Sequence, residues 1–249
     1  MDDGTLLKRL WDGFGALQAL LGGHAGPGHV IERDGIIASV VPSAPESPTL
    51  NAVVALDADK APEYLEELGR RYAEANVRRW GVWLDDRASL AAQRLAKYGM
   101  VITSASPGMG ATLDELGAEP EKPHAADLIT VARVNDVAYG NYDGRLERTL
   151  APLPNGILHA YRQDDARGRP AAVALALHHQ GDCGISFVAT VPKARRKGLA
   201  SAVMRQALTA ARDDGCTTTT LQATDVGEKL YSNLGYRRLC VMQLWERRP

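Results

Sequence analysis

The chain is short of several things that would declare a function outright. It has only three cysteines, Cys183, Cys216 and Cys240, widely spaced and without a CxxC pair. That pattern supports neither a disulfide framework nor a zinc site; no metal is expected, and the thiols are read as small buried apolar side chains. No apolar run approaches the roughly 18 residues of a membrane span, so no membrane partner is expected. The opening residues, MDDGT, are acidic, whereas a secretory signal begins basic; the expectation is a cytoplasmic protein. The formal net charge is −1, which gives no basic excess to hold a nucleic acid. Neither the GxxxxGK[ST] phosphate cradle nor the GxGxxG dinucleotide fingerprint occurs.

What is present is an ordinary globular composition, 45% hydrophobic and 24% charged, in 249 residues, enough for one large domain or two small ones. The charge is uneven. Residues 1–126 carry 12 Lys and Arg against 18 Asp and Glu, while residues 127–249 carry 17 against 12. The second half is the one suited to a small polyanion.

Hydrophobic periodicity predicts alternating helices and strands. In the first half it gives a helix over Leu6–Leu21 stopped by Gly22-Gly23, and a hairpin about Arg33-Asp34-Gly35. Strands follow at Leu50–Leu56 and Trp80–Leu84, helices at Ala61–Ala75 and Ala88–Tyr98, and two short strands at Val101–Ser104 and Ala111–Leu113. Residues 117–126, GAEPEKPHAA, are polar and hold two prolines, so they read as an interdomain linker. The second half opens with a predicted strand over Leu128–Arg133 and helical segments to Ala151. Strands are expected at Gly156–Arg162, Pro170–His178, Cys183–Val191, Thr217–Ala223 and Arg238–Trp245. Helices are expected at Leu199–Arg212 and Gly227–Leu234.

The most informative stretch is SFVATVPKARRKGLASAVM, Ser186–Met204. After Pro192, four of five residues are cationic: Lys193, Arg195, Arg196 and Lys197. Gly198, Leu199, Ala200 and Ser201 then open an amphipathic helix. A strand that runs through a glycine turn into a helix N-terminus makes an anion site, because the first helical N–H groups lack intrahelical partners and the dipole is positive there. Cations at that end oppose the dipole, so they are disfavoured unless an anion joins them. Gly198 removes a Cβ where the backbone would approach a phosphate.

Arg195-x-x-Gly198-x-Ala200 resembles the [Q/R]-x-x-G-x-[G/A] pyrophosphate loop of the GNAT acyltransferases. Downstream, LYSNLGY (Leu230–Tyr236) is similar to the second signature of that family. The resemblance covers about Leu128 to Trp245. It implies acetyl-CoA as cosubstrate, with Val188, Ala189 and Thr190 offering backbone groups to its pantetheine arm and Arg195 to Ser201 holding its pyrophosphate. It implies Tyr231 as the general acid for the departing thiolate. The alternative for Tyr231 is a packed aromatic on a short helix; Gly235 is a candidate C-cap and Tyr236 a core residue.

The sequence departs from the family where a general base is expected. Counting back from Gly198, Gly184 stands where histone-modifying members place a Glu, and Ser186 where serotonin-acetylating members place a His. His178, His179, Asp182 and Asp225 remain as candidates, with a surface turn the simpler reading of the two histidines.

The first half parallels the second in outline. RRWGVWL matches TTTTLQA, and the helix and strands of Leu90–Leu116 match those after Gly227. Residues 1–116 therefore look like a degenerate GNAT-like domain, and 127–249 like the catalytic one. After the Leu50–Leu56 strand the chain reads ALDADKAPEYLEELG, acidic where phosphates would need cations, so this copy is expected not to bind acetyl-CoA. The fold class expected is α/β, with mixed sheets in a tandem GNAT-like arrangement. The expected activity is acetyl transfer to a primary amine of a small molecule, by direct attack in a ternary complex, in a monomer or homodimer. The rivals are a protein lysine or N-terminal acetyltransferase and a non-catalytic acyl-CoA-binding protein.

Overall fold

The computed structural model describes residues 1–116 and 121–247, so most of the expected linker's first half lies outside the described residues. The first half contains α1 (Asp3–His24), β1 (His29–Arg33), β2 (Ile36–Val40), β3 (Ala52–Ala55), α2 (Leu65–Glu74), β4 (Gly81–Asp85), α3 (Ser89–Lys97) and β5 (Met100–Thr112). The second contains α4 (Leu128–Tyr139), α5 (Arg145–Leu150), β6 (His159–Asp164), β7 (Pro170–His179), β8 (Asp182–Thr190), α6 (Leu199–Asp213), β9 (Thr218–Gln222), α7 (Asp225–Leu234) and β10 (Arg237–Arg247).

All ten strands form one mixed sheet in the order β1-β2-β3-β4-β10-β5-β9-β8-β7-β6. The order is symmetric about its centre, each strand of the first half matching the strand five later in the second. The pairings follow suit: β3–β4 and β8–β9 are the parallel pairs, and the rest are antiparallel. The last strands are exchanged, with β10 beside β4 and β5 beside β9. The mixed sheet expected of a tandem arrangement is present, and the exchange makes it continuous across the two halves.

Burial follows the two-residue period of a strand. On β7, Val173 and Leu175 pack with α4 and α5, while Ala172, Ala174 and Ala176 face Ala207 and Ala211 of α6. On β3, Ala52 and Val54 face α1, and Val53 and Ala55 face α2 and α3. The three cysteines are free and buried, as their spacing suggested.

Three expected elements are corrected. Leu128–Arg133 is not a strand: Asp127 accepts a hydrogen bond from the Thr130 N–H at 2.7 Å and caps α4, which buries Val131, Ala132, Val134 and Asn135. The β-branched run concealed an N-cap. Gly22-Gly23 do not end α1. A Cβ on Gly22 would lie 2.8 Å from the His29 carbonyl and 3.1 Å from Ser39 Cα, so Gly22 serves the close approach of helix and strand. The two short strands after Met100 are one strand, β5, of 13 residues. Its Gly108 lies where a Cβ would come within 2.7 Å of both Cys240 Sγ and Leu10 Cδ2.

α1 ties the halves together. Arg9 donates to Thr217 Oγ1 at 2.9 Å and to Thr218 Oγ1 at 2.6 Å. Behind them lies Asp182, 1% exposed, which accepts from the Thr218 and Thr220 hydroxyls at 2.6 Å each. Asp182→Ala leaves both hydroxyls buried without an acceptor and is expected to cost about 3 kcal/mol, read as a lower urea midpoint at unchanged slope.

Candidate functional site

The parallel pairing of β8 with β9 stops at Ile185–Leu221, whereas β8 stays paired with β7 through Thr190. Residues 186–190 therefore present one unpaired strand edge to the gap between β8 and β9. Val188, Ala189 and Thr190 all lie on this edge.

At the same point β8 bulges. Between the Leu175–Ser186 and Val173–Ala189 pairs, one residue of β7 faces two of β8, and Phe187 takes a left-handed φ of 51°. A non-glycine residue in that region is strained, and bulges re-aim backbone groups beside functional sites. Val188 packs toward α6 and α7, while Phe187 and Ala189 pack toward α4.

From the end of β8 a 3-10 turn, Pro192–Ala194, leads to the loop. Arg196 has φ 63° and Gly198 φ 78°, so left-handed residues alternate with others and turn successive N–H groups toward one side. Gly198 is the N-cap of α6, and no side chain caps the helix. Leu199, Ala200 and Ser201 form its partly buried first turn. Arg196 and Lys197 are exposed, and among the described residues neither pairs with a carboxylate. A Cβ on Gly198 would meet nothing within 4 Å, so space lies open over the loop.

Arg195 differs from its neighbours. It donates to the Ala138 carbonyl at 2.7 Å and to the Thr190 carbonyl at 3.2 Å. Arg195 is thus a brace between the C-terminal end of α4 and the end of β8, whereas Lys193, Arg196 and Lys197 are exposed and, among the described residues, form no ion pair.

The corresponding place in the first half has the opposite sign. The chain after β3 carries Asp57, Asp59 and Glu63, and Glu66 and Glu67 stand in the first turn of α2. Carboxylates there complement the helix dipole without any ligand.

Tyr231 lies on α7, 6% exposed, edge-on to Tyr236 with ring centroids 6.0 Å apart. One turn earlier, Gly227 leaves room for the ring: a Cβ there would lie 3.2 Å from Tyr231 Cε2. The Thr224 hydroxyl caps α7 through the Gly227 N–H at 3.1 Å, and Gly235 ends it at φ 104°. The Tyr231 hydroxyl makes no hydrogen bond to another described residue, whereas Tyr236 shares one with Thr219 at 2.8 Å, as a core residue should. Burial, with the nearby Tyr139 phenol adding to it, pushes the Tyr231 pKa well above that of a free tyrosine. The group therefore stays protonated at neutral pH.

Tyr139 was missed in the sequence. It ends α4, is exposed, and its hydroxyl approaches the Val188 carbonyl at 3.5 Å. Nothing in the local pattern marked it, since only the packing of α4 on β8 brings it there.

The candidate bases are not assembled around Tyr231. His178, His179 and Asp182 lie at the end of the β7–β8 hairpin, opposite to the bulge. Asp225 opens α7 on its exposed first turn. Gly184 and Ser186 lie on β8, and the Ser186 hydroxyl is buried without a partner among the described residues.

Residues 131–236 match the sequence model of the acetyltransferase (GNAT) family. No curated protein matches the chain. Among solved structures, a GCN5-related N-acetyltransferase from Kribbella flavida superposes with a TM-score of 0.69 at 20% identity, covering 97% of this chain and 95% of that one. Another GCN5-related N-acetyltransferase, from Sphaerobacter thermophilus, gives 0.60 at 18% identity, with 86% and 78% covered. A tandem GNAT protein from the clavulanic acid biosynthesis pathway gives 0.55 at 13%, with 86% and 79% covered. At these identities the likeness is one of fold, and the fold is that of a tandem GNAT protein.

Proposed function

We propose that this chain, whose residues 131–236 form a GNAT acetyltransferase domain, moves the acetyl group of acetyl-CoA to a primary amine of a small molecule. One observation carries the reading: an uncapped, cation-flanked helix N-terminus lies at the foot of an unpaired, bulged strand edge.

Each part then has a task. The amides of Arg196–Ser201, with the Arg196 and Lys197 side chains, take the pyrophosphate. The open edge of Val188–Thr190 takes the pantetheine amides by strand addition. A backbone N–H at the Phe187–Val188 bulge stabilises the thioester oxygen as charge develops on it. The neutral amine attacks the carbonyl carbon, the new C–N bond forms, and the C–S bond breaks. Tyr231 gives its proton to the departing sulfur, and the proton lost by nitrogen leaves through water. No cysteine occurs in residues 186–201 or 225–236, which favours direct attack over a covalent acetyl-enzyme. Every residue assigned to binding lies in the second half, and the acidic N-terminus of α2 gives the first half no matching pyrophosphate site.

The test is the melting temperature with saturating acetyl-CoA, with ATP, and with neither. At 100 times its Kd, acetyl-CoA should add about 2.7 kcal/mol of stability, and ATP should add far less. A rise with both ligands would make the loop a general phosphate site. No rise with either would remove the cofactor assignment. Turnover of an amine panel then separates a transferase from an acyl-CoA-binding protein.

A further inference from the structure

Far from the gap, at the hairpin end of β7, three side chains distant in sequence converge. His159 opens β6 and lies opposite Ala176 of β7, which makes His178 its diagonal neighbour on the same face. The two imidazoles stack, centroids 4.2 Å apart and planes 18° from parallel. Asp214, the C-cap of α6, places Oδ2 3.2 Å from His178 Nδ1. One nitrogen of each ring and one carboxylate oxygen all lie within 4.8 Å of one another.

One further feature of this cluster asks for a cation: Asp213 and Asp214 stand at the C-terminus of a 15-residue helix, where carboxylates oppose the dipole and a cation is favoured.

We infer that His159, His178 and Asp214 bind a divalent transition-metal ion of the zinc class. Two nitrogens and one oxygen suit zinc better than calcium or magnesium, which take oxygen ligands. Metal–ligand distances of about 2.0–2.2 Å need ligand atoms roughly 3.3 Å apart, a closure that side-chain rotation supplies while the paired strands hold the backbone. Asp214 is exposed, so a water completes the coordination. The ion would pin the sheet's edge strand β6 and its neighbour β7 to the C-terminal end of α6. Its task is structural, since the cluster lies at the end of β7 opposite to the bulge. The three ligands have no recognisable spacing in the sequence, which is why no metal was expected there. Cys183, opposite His178 on β8, stays a buried thiol with its pKa raised well above the usual value by burial.

The test is zinc titration of the dialysed full chain at pH 7.5 against a chromophoric chelator. One equivalent per chain is expected, with a rise in melting temperature. His159→Asn and Asp214→Ala should each weaken binding at least about tenfold, while Cys183→Ala leaves it unchanged. Asp214 is exposed, so Asp214→Ala should melt like the wild type without metal. Absence of stoichiometric zinc, or binding that survives both His159→Asn and Asp214→Ala, would overturn the site. So would loss of binding in Cys183→Ala alone.

Discussion

Tyr231→Phe should lower kcat for acetyl transfer by about 10²- to 10³-fold and leave acetyl-CoA affinity unchanged, as measured by steady-state kinetics and calorimetry. The substitution deletes one oxygen. The ring keeps its place over Gly227 and its edge contact with Tyr236. The hydroxyl makes no hydrogen bond within the described protein, so removing it costs no stability. What is lost, on the proposed mechanism, is the proton donated to the sulfur. Because burial raises the phenol's pKa, the wild-type rate should show no alkaline loss from this group until beyond pH ~10, the ordinary tyrosine value. Equal rates in wild type and variant would assign the proton to another donor. Loss of cofactor affinity with kcat intact would make Tyr231 a packing residue.

Reversing the loop charges with Arg196→Glu and Lys197→Glu should weaken acetyl-CoA binding by at least about 100-fold, since charge-assisted hydrogen bonds contribute about 1.5–3 kcal/mol each. The same double variant should be as stable as wild type without ligand, or slightly more so. Acidic residues at a helix N-terminus are favourable by about 0.3–1 kcal/mol, and the first half of this chain already uses that arrangement on α2. Affinity and stability would then move in opposite directions, a result expected of a binding loop and not of a structural one. Raising the salt concentration should weaken the wild-type complex and have little effect on the variant. Arg195→Gln serves as the contrast. It should cost stability, because its guanidinium joins the Ala138 and Thr190 carbonyls. Unchanged affinity in the double variant would leave the pyrophosphate without its proposed partners.

Much of the second half was legible because its chemistry is local. The sequence Pro192–Ser201 contains both the turn glycine and the cations, and Leu199 to Ala210 carries the periodicity of α6 in plain form. The Gly235 C-cap and the core position of Tyr236 follow from the same kind of short pattern. Elements were misread where a local signal competed with another. The β-branched residues of Leu128–Arg133 hid the Asp127 cap, and Gly22-Gly23 read as a helix stop although Gly22 serves close approach. A glycine's neighbours in space decide which of these it is.

The sequence by itself determined the cationic, glycine-containing turn before α6 and the acidity of the equivalent turn before α2, since each depends on residues within one turn of backbone. Only the tertiary structure decided that β5 and β10 exchange places, that β8 bulges at Phe187 as it leaves β9, and that Arg195 is a brace. It also brought Tyr139 to Val188, and His159 to His178 and Asp214. Strand pairing and helix docking set these contacts between residues far apart in the chain, and no local pattern of residue types encodes which distant backbone will lie beside them.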